Sequence, residues 1–385
     1  MSVIVDNNSL KSFCERISES SYITVDTEFM REKTYWPRLC LIQIANIDEA
    51  AAIDTLAEGL NLTPLINIML EPSILKVFHA ARQDLEIFFR LMGKLPTPIF
   101  DTQVAAMVCG FGDSAGYDTL VRKLLDQNID KSSRFTDWGL RPLSKRQIKY
   151  ALEDVTHLRQ IYRKLNDILF KNKRYAWMDE ELGNLKDKNN YTFAPEDAWR
   201  RIKSRTPNPR FLAILKKIAA WRELEAQTRD LPRNRILRDE SLVEIAHHSP
   251  KTITELAKAR GFNQKKAEGP MGKAIINAVN DGLKVPNDGL PKVIRTPPLP
   301  KGIGPITDLL KVLLKLKSEE HDVAQKLIAT VDDLEKIAAY GNKAGVPSLH
   351  GWRQMVFGND ALKLRSGKLA MLIKDRKIEL LNFNE

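Results

Sequence analysis

Tyr22-Ile23-Thr24-Val25-Asp26-Thr27-Glu28-Phe29 runs a block of β-favouring residues straight into two carboxylates spaced two apart. β-Branched and aromatic side chains suit a pleated surface, so Tyr22 to Asp26 reads as a strand. Period-two alternation then places Asp26 and Glu28 on one face. Like charges held side by side repel, and a hard divalent cation, which takes carboxylate oxygens readily, relieves that repulsion. Taken alone, the pair is also the pattern of an ordinary solvated turn at a strand end.

Outward from this stretch, Leu39 to Ala45, Ala51 to Asp54 and Ile74 to Phe78 read as further strands. Ala81 to Leu91 carries apolar residues at helical spacing, and Ser144 to Leu165 opens on a serine cap and continues through Ile148, Leu152, Val155 and Leu158. The first 185 or so residues are thus an α/β unit, with hairpin-like strands first and helix-linked strands later. Asn-rich sequence from Lys186 to Tyr191 marks a boundary near 190. Beyond it the pattern is helical, with Phe211, Ile214, Leu215, Ile218 and Trp221 forming one stripe. Lys284 to Pro305 is dense in Pro and Gly and reads as a stiff connector, after which Ile306 to Leu316 and Val323 to Leu334 again read as helices.

Two more segments carry residues suited to chemistry. In His79-Ala-Ala-Arg-Gln-Asp84 a strand runs into a helix, with Asp84 in the first turn. There it is either a partner of the helix dipole or a ligand, and His79 is either hydrogen-bonded structure or part of a site. In Tyr150-Ala-Leu-Glu-Asp154, spacing of four puts phenol and carboxylate one turn apart on one face, while Glu153 points elsewhere. A tyrosine so placed is otherwise ordinary core packing with its hydroxyl at the surface.

The chain has 385 residues and a net charge of +11, and that excess sits in one place. Residues 201 to 320 hold 24 basic against 13 acidic side chains, whereas the first 200 hold 26 against 28, so an acidic front and a basic middle divide the work. Cys14, Cys40 and Cys109 follow no metal-ligand or disulfide spacing, which argues against a zinc site and for a reducing compartment. No apolar run approaches the roughly 20 residues of a membrane span and no leader pattern opens the chain, so the expected location is the cytoplasm, away from membranes.

Four carboxylates divided in this order among a strand, a helix start and a later helix, with a tyrosine one turn before the last, resemble the DEDD exonucleases of the tyrosine subtype. Arg38-Leu-Cys-Leu-Ile-Gln43, Asp101-Thr102, Lys131-Ser132, Asp137-Trp-Gly-Leu-Arg-Pro-Leu143 and Pro195-Glu-Asp-Ala-Trp199 are similar to blocks of the ribonuclease D family. The segment from about Asn208 to Leu283 resembles the HRDC domain that accompanies that nuclease; the last 80 residues or so match a second such domain only in length and helical character.

The resemblance implies a ribonuclease H-like (DnaQ-like) exonuclease domain with a mixed sheet over residues 1–190. An all-α HRDC domain over 205–285, a linker over 286–305 and a second HRDC-like helical domain over 306–385 would follow. It implies a 3′-to-5′ exoribonuclease that releases nucleoside 5′-monophosphates from RNA with a single-stranded 3′ end, tRNA precursors being the substrate the family points to. Asp26, Glu28, Asp84 and Asp154 would hold two divalent cations, Mg²⁺ or Mn²⁺, with Tyr150 orienting the attacking water. Phe29 would pack against the terminal nucleotide, His79 would help shape the substrate-binding site, and the basic cluster that includes Arg222, Arg229, Arg233 and Arg235 would hold the RNA backbone. A DNA exonuclease and a catalytically silent RNA-binding adaptor are the competing readings. The first predicts shortening of DNA instead of RNA; the second predicts stoichiometric binding without mononucleotide release.

Overall fold

The strand expected to stop at Asp26 continues to Met30, and this extra length puts both of its carboxylates on regular backbone. The computed structural model describes residues 2–204, 208–292 and 298–383. Its main sheet comprises β1 (Ser2–Ile4), β2 (Tyr22–Met30), β3 (Arg38–Ala45), β4 (Ala50–Ile53), β5 (Leu75–Phe78) and β6 (Ile99–Asp101), in the order β1-β4-β3-β2-β5-β6. β2, β3 and β4 form an antiparallel meander, while β1 joins β4, β5 joins β2 and β6 joins β5 in parallel, so the sheet is mixed. The edge strands β1 and β6, three residues each, escaped the sequence reading.

Five helices cover this sheet: α1 (Asn7–Ile17), α2 (Thr63–Leu70), α3 (Arg82–Met92), α4 (Thr102–Val108) and the long α5 (Lys145–Lys171). α1 begins at Asp6, whose carboxylate accepts from Ser9 N, and buries Leu10, Phe13, Cys14 and Ile17 against the sheet. The serine cap expected for α5 is present as a full capping box between Ser144 and Gln147. Two contacts fix α5 across the sheet. The Thr24 hydroxyl on β2 donates to Val155 O at 2.8 Å, and Arg159 donates to Asn46 O at 2.6 Å. Lys76 is fully buried, its amine donating to three backbone carbonyls, those of Glu71, Ile74 and Thr97.

After α6 (Tyr175–Lys186), a second core forms around α7 (Pro209–Thr228), α8 (Asp239–His248) and α9 (Pro270–Lys284). Phe211, Ile214, Leu215 and Ile218 face Leu242, Ile245, Ile275 and Val279 as the stripe predicts, but this core also takes in Ala198 and Ile202 from ahead of residue 205. Of the segments expected to separate the units, residues 205–207 and 293–297 lie outside the described residues, as do 1, 384 and 385. Tyr35 anchors the second core to the first: its hydroxyl donates to the buried Glu223 carboxylate, which Arg233 also grips at 2.6 Å.

The third core corrects the all-helical expectation. α10 (Gly304–Glu320) and α11 (Val331–Tyr340) pack with a β-hairpin, β7 (Leu369–Lys374) and β8 (Lys377–Asn382). The helix expected over Val323 to Leu334 is two, because Thr330 and Asp333 form a capping box that starts α11 afresh. This unit docks back on α4 and α6. Trp177 stacks on Trp352 with ring centres 4.4 Å apart, Arg353 pairs with Glu180 and Glu181, and Arg174 donates to Val108 O and Asp322 O at 2.9 Å.

Gly110 sits at that seam with φ +79°, and a Cβ there would meet Asp322 O at 2.7 Å. Gly110→Ala therefore combines left-handed strain with a clash, together about 2–4 kcal/mol. The expected result is a lower Tm and faster limited proteolysis between the first and third units. Gly59→Ala, with a similar φ of +74° but open space around it, should show the strain alone; equal effects of the two would count against a close-packed seam.

Candidate active site

Asp26 and Glu28 project from the same face of β2, and α5 crosses that face with Asp154. The ligating oxygens of these three carboxylates lie within 4.8 Å of one another. Asp84 comes from the side. The β2–β5 pairing ends at Thr24 and Val77, and past it the first turn of α3 brings Asp84 beside β2, where the Thr27 hydroxyl donates to its carboxylate. A cleft of about 470 Å³ is lined by all four carboxylates and by Tyr150. The residues singled out from three separate segments of sequence thus meet in one place.

The corner that aims Asp84 is strained. Ala80 has φ 57°, a left-handed conformation uncommon for a residue with a Cβ. Asp101 supports it, accepting from Ala80 N at 3.1 Å and Ala81 N at 2.8 Å on one side and from Gln103 N at 2.7 Å at the start of α4 on the other. One buried carboxylate thereby locks the strand-to-helix turn that carries the site.

The electrostatics are those of negative charge crowded away from water. Removal from solvent, then the charge of Asp154, holds the Asp26 carboxyl well above the usual range. Burial and then Asp26 do the same to Asp84. Glu28 is pushed up to about 10, by burial first and then by Asp26, Asp154 and Asp84. Asp154 rises only to about 7, because burial is opposed by a hydrogen bond from Tyr150 and by the nearby Arg134 charge. Tyr150 is itself held above its ordinary value by burial and the surrounding carboxylates, so its phenol keeps its proton. The donor set is all oxygen and excess negative charge, which fits a hard divalent cation and no softer group.

His79 lines the same cleft. Its Nδ1 lies 3.0 Å from the Thr102 hydroxyl oxygen, and that hydroxyl donates onward to Phe78 O. Nδ1 is therefore the protonated nitrogen, and Nε2 is left as an acceptor. Burial holds the ring's pKa down, keeping it neutral. Phe29 also lines the cleft. Simple alternation would send it to the opposite face from Glu28, but a β-bulge falls between the two, where Glu28 pairs with Leu41 and Phe29 with Leu39.

The arginines expected to hold RNA divide. Arg222 is a correction: it is buried on the packed face of α7, donating to Leu237 O at 2.9 Å and to Asp239 at 2.6 Å, so it is tied into the fold and not displayed on the surface. Arg233 is half-buried and occupied by Glu223, with its guanidinium 4.6 Å from the centre of the Tyr35 ring. Arg229 and Arg235 are exposed, and Arg235 borders a hollow of about 780 Å³ together with Arg238, Arg260 and Lys266. Sequence reasoning missed Lys131, Arg134, Phe135 and Tyr117 at this cleft. Tyr117 donates to the backbone carbonyl of Asp154, steadying that turn of α5. A phenylalanine amid the polar run Ser132-Ser-Arg-Phe-Thr-Asp137 is a signal of residue type alone, which does not say where the segment folds.

Residues 1–169 match the 3'-5' exonuclease family and residues 211–279 the HRDC domain family. Ribonuclease D of Granulibacter bethesdensis is 46% identical over 380 residues, covering 98% of this chain and 96% of that one. Ribonuclease D of Jannaschia sp. is 47% identical over 381 residues, with 98% of each chain covered. The crystal structure of Escherichia coli RNase D, described as an exoribonuclease involved in structured RNA processing, superimposes with a TM-score of 0.79 at 32% identity, covering 95% of this chain and 98% of that one. An exonuclease fold of this divalent-metal class, with relatives of this identity over nearly its full length, makes the chain a 3′-to-5′ exoribonuclease: it belongs to the ribonuclease D family.

Proposed function

We propose that Asp26, Glu28, Asp84 and Asp154 hold two divalent cations, Mg²⁺ or Mn²⁺, and that with Tyr150 they form the hydrolytic site for the 3′-terminal phosphodiester. The observation that carries this reading is the packing of Asp26, Glu28 and Asp154 oxygens within 4.8 Å, with no lysine or arginine in ion-pair contact with them among the described residues. When bound, a pair of such cations supplies the charge that favours hydroxide formation from water and stabilises the leaving 3′ oxygen. Tyr150, protonated and one turn from Asp154, is placed to hold the attacking water in line by hydrogen bonding, without taking its proton. The products are nucleoside 5′-monophosphates.

Phe29 packs against the terminal nucleotide, and Nε2 of His79 accepts from its sugar hydroxyls. Arg229 and Arg235 contact the RNA backbone outside the cleft, giving sequence-independent, salt-sensitive affinity. The substrate class is structured RNA with a short single-stranded 3′ tail, tRNA precursors included. No helix among the described residues is long and apolar enough to cross a membrane, and the proposed RNA substrate would be met in the cytoplasm. Calorimetric titration with Mn²⁺ should return two ions per chain, and a hairpin RNA with a 3′ tail should be trimmed back to its stem. A single ion, or equal degradation of tailed and blunt hairpins, would overturn the corresponding part of this reading.

A further inference from the structure

The segment between residues 130 and 138 is pinned at both ends and presents two unused side chains between them. Asp130 accepts from Ser132 N at 3.0 Å and pairs with Arg146 on α5 at 2.9 Å. Ser133 is buried, Thr136 donates to Ser133 O at 2.8 Å and accepts from Gln147 at 3.1 Å, and Trp138 is buried. Between these fixed points the Phe135 ring is 90% exposed, yet it stands at the edge of the catalytic cleft. An aromatic ring left in water on a hydrogen-bonded support is a surface the fold itself does not use.

Arg134, its neighbour, also lines the cleft. Of the two cations there, Lys131 is taken by Asp118 at 2.7 Å. Among the described residues Arg134 has no acidic partner, and its guanidinium lies 5.3 Å from the Phe135 ring centre. Its charge reaches Glu28, Tyr150 and Asp154, opposing the repulsion that a polyanion meets on approaching these carboxylates.

We propose that Arg134 and Phe135 form a clamp at the cleft mouth, in which Phe135 stacks on a base of the incoming strand near its 3′ end and Arg134 holds the adjoining phosphate. Stacking on an aromatic face accepts any base, and a guanidinium reads phosphate without sequence, so the clamp suits an exonuclease that must advance through every nucleotide. The inference rests on the cleft being the RNA hydrolysis site.

The test uses the full chain and single-stranded RNA, intact or carrying one abasic nucleotide at each of the last three positions in turn. Phe135→Ala should raise KM about tenfold on intact RNA with little change in kcat, the scale of losing one base stack. At one abasic position, wild type and variant should become equal. Arg134→Ala should weaken binding about tenfold and reduce the salt dependence by about one phosphate contact, with Arg134→Lys restoring part of both. Binding is also measured with the metal chelated, by fluorescence anisotropy, so that failure of hydrolysis and failure of the clamp are told apart. If Phe135→Ala binds and turns over as wild type does, or its defect is the same on every abasic substrate, the stacking role is wrong. If Arg134→Ala leaves the salt dependence unchanged, the phosphate contact is wrong.

Discussion

Asp154→Asn is expected to lower kcat on the order of 10³-fold, the scale reached when a charged group aimed at the reacting atoms is removed. The substitution keeps the shape of the side chain and leaves an oxygen to accept the Tyr150 hydrogen bond, so the helix and the cleft remain. What it removes is one of three carboxylate oxygens within 4.8 Å of one another. Because burial disfavours that charge and Glu153 repels it, the metal-free variant should also be more stable than wild type. Loss of activity together with a gain in Tm separates a functional defect from a structural one. Glu153→Gln, one residue away and paired at 3.7 Å with Lys149, is the control and should stay within about twofold of wild type.

The second large effect concerns pH and metal. Glu28 titrates near 10 and Asp154 near 7 in the fold, against ordinary values of 4.5 and 3.8. A carboxyl whose folded pKa is raised binds its proton more tightly in the folded state. Its contribution is therefore fully present below the ordinary value and is lost as pH rises through the folded value. In chelator, Tm should fall steadily between about pH 5.5 and about pH 9, well inside the span from those ordinary values to the raised ones. Mn²⁺ should restore most of the loss at the upper end and do little at the lower end, where protons occupy the site instead. Scanning calorimetry at the two pH values, with and without metal, checks this; a flat metal-free Tm would mean that the carboxylates are not crowded as described.

The parts of this structure that sequence made legible were those where chemistry and periodicity coincide. Asp26 with Glu28, Asp84, and Tyr150 with Asp154 stood out because strand and helix spacing fixes their faces locally, and the structure brings all three segments to one cleft. Phe29 was ambiguous because a bulge, invisible in the pattern, resets the alternation after Glu28. The hairpin of β7 and β8 was missed because its turn, Asp375-Arg376, places both residues at positive φ without the glycine that normally marks such a turn. Arg222 was misjudged by counting charge instead of face. It follows Ile218 by four residues and precedes Ala226 by four, on the buried side of α7. Lys131, Arg134 and Phe135 reach the cleft through a long loop, and no local spacing announces where such a loop returns.

The most direct test is the 3′ end itself. A hairpin RNA labelled at its 5′ end and carrying a single-stranded 3′ tail is incubated with wild type or Asp154→Asn, in Mg²⁺, in Mn²⁺ or in chelator, beside a DNA of the same sequence. A ladder that shortens one nucleotide at a time from the 3′ end of RNA, only with metal and only with wild type, is the predicted result. RNA that stays full length with every metal while still bound by the protein, or a ladder that persists undiminished in Asp154→Asn, would contradict the assignment of these carboxylates.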